Sequence, residues 1–289
     1  MLGGVRPVTR PAFGVAITGV GLWTRGLTNF AEFRAAREAG FAGLEVSEFK
    51  VPRPASLPAR ERRRAGLMIN LGVEVAHQAC EVAGVSKDAV PSVFASALGD
   101  TAVTEYMCRR LAQPTKVLSP TRFHNSVHNA ASGYWTISAG NRLPSTFVGA
   151  FLESFGVGLL EAASQSVAAR GPVLFVACDI ATTPPLTAVA DVRQTLAAAF
   201  VLEPAAGVAR HRPCLLAEIR FRTGSLRKTP LPVGLEWLGQ ANPMGCALTL
   251  ADRLAVPEGA PSRRGSLCFA AGPCCGVDLR LGGGRGWHD

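Results

Sequence analysis

Residues 145–178 read STFVGAFLESFGVGLLEAASQSVAARGPVLFVAC, which predicts a strand, a helix and a second strand in succession. The apolar runs at 145–149 and 172–178 have the length and composition of buried strands. Between them the sequence predicts a helix over 153–169, whose apolar residues recur at helical spacing: Val157, Leu160, Ala163 and Val167. A helix that joins two buried strands is the crossover unit of a sheet with helices on its faces.

The same alternation of strands and helices extends in both directions from this segment. Further helices are predicted at 29–39, 62–85 and 102–111, and further strands at 15–21, 93–98, 200–202 and 215–219. The helix at 62–85 has the clearest apolar period, and Gly84 supplies its stop. The strand at 15–21 is expected to end in a glycine turn. The chain therefore predicts an α/β layered fold whose sheet is covered on both faces.

The composition is that of a folded globular chain. Its 289 residues are 48% hydrophobic and 18% charged, which excludes intrinsic disorder and is sufficient for a sizeable core. The uncharged run at 11–24 is too short and too rich in glycine for a membrane span, and it does not resemble an export signal, so a cytoplasmic location is expected. The eight cysteines are mostly scattered and are expected to be reduced. The cluster of Cys268, Cys274 and Cys275 lacks the spacing of a metal site.

The net charge of +9 predicts a basic surface. Such a surface attracts nucleic acid, anionic lipid or an acidic protein, and composition alone does not choose among them. Nucleic-acid binding is not expected, because aromatic residues make up only 7% of the chain and do not interleave with the basic ones.

Several motifs, in this order and spacing, resemble the N-terminal half of a β-ketoacyl synthase. They are VAITGVG at 15–21, LSP at 118–120, SGYWTI at 132–137, STFVGA at 145–150 and AFVLE at 199–203. The string FHNSVHNA at 123–130 most resembles the short chain-length-factor-like proteins of aryl polyene pathways. This resemblance implies a thiolase-like layered fold, in which two similar α/β halves stack, and it covers mainly the first half.

By this resemblance the chain divides into three parts. Residues 14–220 form a β-ketoacyl synthase N-terminal-like domain, and residues 221–254 form a remnant continuation of the fold. Residues 255–289 combine glycine, proline and arginine with Trp287 and show no helical or strand period. They are therefore expected to form an irregular, divergent tail.

A ketosynthase needs a nucleophilic cysteine at the start of the helix that follows the elbow strand, where the helix N-terminus lowers the pKa of the thiol. Counting back from Gly158, the resemblance places that position at Ala150, which has no nucleophile. The family's two histidines lie in its second half, whereas here only His211 and His288 follow residue 200 and neither is followed by glycine. The resemblance therefore implies a non-catalytic subunit without a cofactor, which pairs with an active β-ketoacyl synthase and shapes the acyl tunnel.

The resemblance also places acyl-tunnel and interface residues between positions 124 and 135. Val127 falls where the family has an apolar gate beside the tunnel, and Tyr134 and Trp135 follow; the two aromatics are equally well interpreted as core residues. His124 and His128 are four residues apart, a spacing that on a helix suits a metal. Pro120, Asn125, Asn129 and Gly133 argue against a regular helix, so a structural or interface role and no metal are expected.

Five arginines are candidates for docking an acidic acyl carrier protein: Arg62, Arg63, Arg64, Arg109 and Arg110. A solvent-exposed helix face explains them equally well. A different class of function also stays open, namely a free-standing acyltransferase or thioester hydrolase that uses Ser145, Ser154 or a histidine. The Gly-x-Ser-x-Gly elbow of serine hydrolases is absent here, which argues against a serine nucleophile.

Overall fold

The computed structural model describes residues 12–207, 214–224, 228–258 and 260–282. The strands in these ranges are β1 (Ala12–Thr24), β2 (Ser92–Ala95), β3 (Ser145–Val148), β4 (Val173–Asp179), β5 (Leu196–Pro204), β6 (Leu215–Thr223), β7 (Gly265–Gly272) and β8 (Cys275–Leu281). The helices are α1 (Phe30–Glu38), α2 (Ala59–Arg62), α3 (Leu67–Ala83), α4 (Thr101–Leu111), α5 (Pro120–His124), α6 (Ala130–Ala139), α7 (Ser154–Ala169), α8 (Glu236–Gly239) and α9 (Cys246–Ala255). Among them, no helix has both the length and the apolar character needed to cross a membrane.

The strands form one mixed sheet in the order β3-β2-β4-β5-β1-β6-β8-β7. β2 is parallel to both β3 and β4, and the other neighbouring pairs are antiparallel. β4 is buried along its whole length because it lies inside the sheet and is covered on both faces. The prediction of an α/β layered fold is confirmed.

The sheet separates two apolar cores. α7, α1 and α9 contribute to the core on one face, and α3 and α6 contribute to the core on the other face. α7 approaches the sheet closely at Gly158, where a Cβ atom would lie 2.6 Å from the Phe175 ring and 2.8 Å from the Ala95 Cβ. This close approach fixes the beginning of α7 against β2 and β4.

β1 continues past the glycine turn that the sequence predicted at the end of 15–21. A Cβ atom at Gly19 or Gly21 would lie 2.1 Å from a carbonyl oxygen of α3. The two glycines therefore serve close packing between strand and helix, and the predicted turn was wrong. The helix predicted over 62–85 is confirmed for Leu67–Ala83, and Gly84 ends it in the left-handed conformation.

The predicted irregular tail contains a β-hairpin. β7 and β8 pair with each other, and β8 pairs with β6, so both strands extend the sheet. Alternate residues of the hairpin are buried in the core beside α7: Leu267, Phe269, Val277 and Leu279. The expectation was wrong here because glycine, serine and cysteine between these residues obscure the period of two. Trp287 lies outside the described residues, and the divisions at 220 and 254 stay predictions.

Candidate functional site

The loop between β3 and α7 has the form of a strand–turn–helix elbow. β3 ends at Val148, a single 3-10 turn spans Phe151–Glu153, and α7 begins at Ser154. Phe151 has a left-handed φ of 50°, which is uncommon for a residue other than glycine and marks a sharp reversal of the chain. Ala150 directly precedes it, so the position assigned to the nucleophile by resemblance lies at the turn itself.

Ser154 closes this turn. Its Oγ accepts a hydrogen bond from the Ala150 backbone N–H (2.8 Å) and donates one to the Phe151 carbonyl oxygen (2.7 Å). The residue is 0% exposed. The hydroxyl is therefore engaged in holding the loop, which is a structural role rather than that of an accessible nucleophile.

The other candidate nucleophiles lie in different surroundings. Ser145 begins β3, and its hydroxyl lies 2.8 Å from the hydroxyl of Ser92 on the neighbouring strand. Cys108 is exposed on α4. Cys178 lies in the core on the face of the sheet opposite α7, where burial raises the pKa of its thiol well above the ordinary value. His211 and His288 lie outside the described residues.

A buried polar network, which the sequence reasoning missed, supports the loops at the end of β4. The Asp179 carboxylate accepts hydrogen bonds from the Ser96 hydroxyl (2.5 Å) and the Ala97 backbone N–H (3.1 Å). Asn242 Nδ2 donates to the backbone carbonyls of Asp179 (3.0 Å) and Gln194 (2.7 Å). Burial raises the pKa of Asp179 to about 6, although the hydrogen bonds to its carboxylate oppose this shift. The signal in the sequence was an acidic residue directly after a fully apolar strand.

The segment predicted to line an acyl tunnel contains two different environments. Tyr134 and Trp135 lie on α6 and belong to the core shared with α3, and Trp135 is 0% exposed. The Tyr134 hydroxyl donates to Asn125 Oδ1 (3.2 Å). This packing favours the interpretation of both aromatics as core residues. Val127, by contrast, is 51% exposed in the turn between α5 and α6.

Val127 and His128 line a narrow cavity together with residues from other segments. The other lining residues include Met68, Ile69, Asp100 and Asn125. Its volume is about 10 Å³, close to the room that one water molecule needs. Asp100 Oδ1 caps α4 by accepting from the Val103 backbone N–H (3.0 Å), and burial raises the pKa of this carboxyl. Within this single chain the cavity is too small for an acyl chain.

The two histidines do not share a helix face. α5 ends at His124 and α6 begins at Ala130, so His128 lies in the turn between them, as the prediction against a regular helix requires. The His124 ring lies 6.2 Å from the Tyr134 ring, and the His128 ring lies 5.2 Å from the Phe147 ring of β3. Within the described ranges, no group of three or more His, Cys, Asp or Glu side chains is placed to hold a metal ion.

Two of the five predicted docking arginines are engaged within the chain. Arg62 Nη2 donates to the backbone carbonyls of Ala55 (3.2 Å) and Leu57 (2.9 Å), so this side chain fastens the proline-rich loop before α2. Arg109 forms a salt bridge with Glu105, one turn earlier on α4. These two cations are therefore less available to an external partner than the sequence suggested.

The other three arginines, Arg63, Arg64 and Arg110, are exposed. None of them forms a salt bridge with a residue that the structure describes. Asn125 Nδ2 donates to the Arg64 carbonyl (2.8 Å) and so joins the end of α2 to the end of α5. Arg122 of α5, which the sequence reasoning missed, adds a further exposed cation beside Arg110.

β3 is an edge strand with exposed apolar side chains around it. Its outer edge has no neighbour in the described sheet. Phe151 and Leu152, directly after the strand, are 48% and 52% exposed. Val127 lies close to the strand because the adjacent His128 contacts Phe147. An exposed strand edge with apolar surroundings is a pairing site for another chain.

Comparisons with known proteins agree with this architecture. Residues 40–240 match the family described as β-ketoacyl synthase, N-terminal domain. A solved complex of the ketosynthase ApeO with its chain length factor ApeC, from Xenorhabdus doucetiae, aligns at 24% identity and a TM-score of 0.62, covering 91% of this chain and 98% of that chain. The ishigamide ketosynthase/chain length factor aligns at 16% identity and a TM-score of 0.69, covering 93% and 99%. No curated protein matches the sequence.

A third solved structure, AntDE:AntF, is a type II polyketide synthase acyl carrier protein in complex with its ketosynthase. It aligns at 12% identity and a TM-score of 0.70, covering 93% of this chain and 99% of that chain. At these identities the solved structures show the fold, which is the predicted thiolase-like α/β fold of ketosynthases. The family match spans more than half of the chain. The chain therefore belongs to the β-ketoacyl synthase N-terminal domain family.

Proposed function

We propose that this chain is a non-catalytic, chain-length-factor-like subunit, which pairs with an active β-ketoacyl synthase and shapes the acyl tunnel in aryl polyene or related polyketide or fatty acid synthesis. The observation that carries the proposal is the strand–turn–helix elbow: Ala150, the position that the resemblance assigns to the nucleophile, lies at its turn and has no nucleophilic side chain. Two of the similar solved structures are named as ketosynthase and chain length factor together.

The ketosynthase subunit is proposed to bind along the outer edge of β3. The strand is only four residues long, and its unpaired edge offers backbone groups for a partner. Phe151 and Leu152 at one end and Leu143 at the other are exposed apolar residues that such a partner would bury. Burial of this apolar area would stabilise the pair by about 25 cal/mol per Å² removed from water, before the cost of association.

The acyl tunnel is proposed to form between the two subunits. In the isolated chain, the cavity beside Val127 and His128 has room for about one water molecule. Val127 is exposed, and the neighbouring His128 contacts Phe147 of β3, so the surface of a partner on this edge would supply the second wall. A dry apolar tunnel built from two chains gives each chain a share in setting the length of the product.

An acidic acyl carrier protein is the proposed source of the growing chain. The exposed cations Arg63, Arg64 and Arg110 lie on α4 and at the end of α2, and the Asn125 contact joins the latter to α5. Positive charge on such a surface attracts an acidic partner and raises its rate of association. AntDE:AntF is named as a ketosynthase with its carrier protein, and this likeness supports the proposal.

Fewer observations support the alternative of a free-standing acyltransferase or thioester hydrolase. The Ser154 hydroxyl is fully buried and hydrogen-bonded in the turn, and Ser145 pairs with Ser92. Co-expression with the ketosynthase that is encoded nearest to this chain tests the choice. The proposed function predicts a stable complex that elongates an acyl chain, whereas the alternative predicts that this chain alone releases thiol from an acyl thioester.

A further inference from the structure

Two arginines from different helices converge on one tyrosine ring. The guanidinium carbon of Arg122, on α5, lies 4.4 Å from the ring centroid of Tyr106, and that of Arg110, on α4, lies 5.8 Å from it. The Tyr106 hydroxyl accepts a hydrogen bond from the Ser119 backbone N–H (3.0 Å), which fixes the ring between the two helices. The aromatic face attracts both cations, so the ring holds two like charges close together.

These two cations have no salt-bridge partner among the described residues, although burial raises the pKa of the Asp100 carboxyl and the charge of Arg122 partly opposes this shift. Neither Arg110 nor Arg122 forms a salt bridge there. The nearest acid on α4, Glu105, is paired with Arg109, and the Asp100 carboxylate is used as the cap of the same helix. The hydrogen bond from Ser119 and the neighbouring arginines hold the pKa of Tyr106 below its ordinary value, which agrees with a positive local potential.

The surroundings of this arrangement favour a protein over a small anion. α4 buries only Thr101 and Val103 among its residues, so most of its surface faces solvent. Exposed apolar side chains flank the arginines: Leu111, Val117 and Phe123. Tyrosine and arginine surrounded by apolar residues is the composition of a protein-binding hot spot. The charge on the partner is expected to be negative, because within the described ranges neither arginine forms a salt bridge with an acid.

We infer that Arg110 and Arg122, positioned by the Tyr106 ring, form the anchor of a docking surface on α4 and α5 for an acidic protein. This inference rests on the proposed function, under which that protein is the acyl carrier protein. It adds Arg122 and Tyr106 to the docking surface and removes Arg62 and Arg109 from it. The ring matters as much as the charges, because it holds both guanidinium groups in place before the partner arrives.

The test is isothermal titration of an acidic acyl carrier protein into the full chain, in the assembly in which the chain purifies. Arg122→Gln and Tyr106→Leu are each expected to weaken binding by about tenfold or more, a hot-spot loss. Tyr106→Phe keeps the aromatic face but loses the hydrogen bond from Ser119, so its affinity is expected to lie between those of Tyr106→Leu and the unsubstituted chain. Arg142→Gln is the matched control, because Arg142 is exposed in the loop before β3, at the opposite end of the parallel strands.

Each outcome decides the inference. A loss in Arg122→Gln and Tyr106→Leu, with no loss in Arg142→Gln, supports it. Equal small losses in all three variants would overturn it in favour of a diffuse basic surface, while the proposed function would stand because the carrier still binds. Absence of carrier binding by the unsubstituted chain would overturn the inference and the carrier part of the proposed function. Binding of free 4′-phosphopantetheine that is lost in Arg122→Gln would overturn the assignment to a protein partner.

Discussion

The Ser154 hydroxyl lies 2.8 Å from the backbone nitrogen of Ala150, four residues earlier in the chain. A loop that has no nucleophile is thus held in a defined shape by a buried side chain at the start of the following helix. The loop also carries the exposed Phe151 and Leu152, which are proposed to meet the ketosynthase. Under the proposed function, the elbow keeps its architecture without the chemistry of a nucleophile.

Ser154→Ala is expected to lower the free energy of unfolding by about 1 kcal/mol, because it removes two hydrogen bonds and leaves the Ala150 N–H without its acceptor. Urea unfolding measures the change. Ser164→Ala is the matched control on the same helix, since Ser164 is exposed and its hydroxyl only donates to the Leu160 carbonyl. Equal stability of the two variants would show that Ser154 does not support the loop.

Gly158→Ala is expected to lower the free energy of unfolding by about 1–3 kcal/mol, because the new Cβ would collide with the Phe175 ring and with Ala95. Gly133→Ala on α6 is the control, since its Cβ would meet nothing within 4 Å. That variant is expected to be unchanged or more stable by up to about 1 kcal/mol, from helix propensity. A Gly158→Ala protein as stable as the parent would mean that α7 does not pack as described.

The stability of the protein is expected to depend on the ionisation of Asp179. Its pKa in the folded state is raised to about 6, above the ordinary value of 3.8, so the folded state holds this proton more tightly than the unfolded state. The resulting stabilisation is complete below about pH 4 and is lost as the pH rises through about 6. Unfolding measured across this range should show the fall, and Asp179→Asn should make the profile flatter.

Asp191→Asn is the control for this pH dependence, because Asp191 is an exposed carboxylate whose salt bridge within the described part of the chain is to the nearby Arg193. Its profile should follow that of the unsubstituted protein. If the Asp179→Asn profile also follows it, Asp179 is not the titrating group.

The length of the acyl product is expected to depend on the side chain at Val127. Val127→Phe is expected to shorten the products of the complex and Val127→Ala to lengthen them, because this exposed side chain is proposed to line the shared tunnel. Mass spectrometry of the released products measures the distribution. Val233→Phe, at another exposed valine, is the control. An unchanged distribution of product lengths in both Val127 variants would show that Val127 does not act as a gate of the tunnel. Trp135→Ala, by contrast, is expected to cost about 3–5 kcal/mol in stability, because the ring is fully buried.

Periodic apolar segments were predictable from the sequence. α3, α7 and β4 lie close to their predicted positions, because each buries a long regular apolar stripe or a whole strand. The hairpin of β7 and β8 was missed because its polar positions carry glycine and cysteine, which mimic an irregular loop. β1 was predicted too short because its glycines serve packing against α3, a contact that no local pattern reveals.

The candidate site was predictable only in part. The assignment of the nucleophile position to Ala150, counted back from Gly158, stays a prediction, and the structure shows only that Ala150 lies at the turn before α7. The hydrogen bond between Ser96 and Asp179 joins residues that are 83 positions apart in the chain. The ring of Tyr106 contacts arginines from two different helices. Such contacts depend on tertiary packing, and so neither the buried network nor Arg122 had a signal strong enough to single it out.

The most direct measurement is peptide mapping by mass spectrometry after the complex of this chain and its ketosynthase has reacted with an acyl thioester. The proposed function predicts the acyl group on the ketosynthase subunit and none on this chain, including the peptide that contains Ala150 and Ser154. A covalent acyl adduct on any side chain of this chain would contradict it.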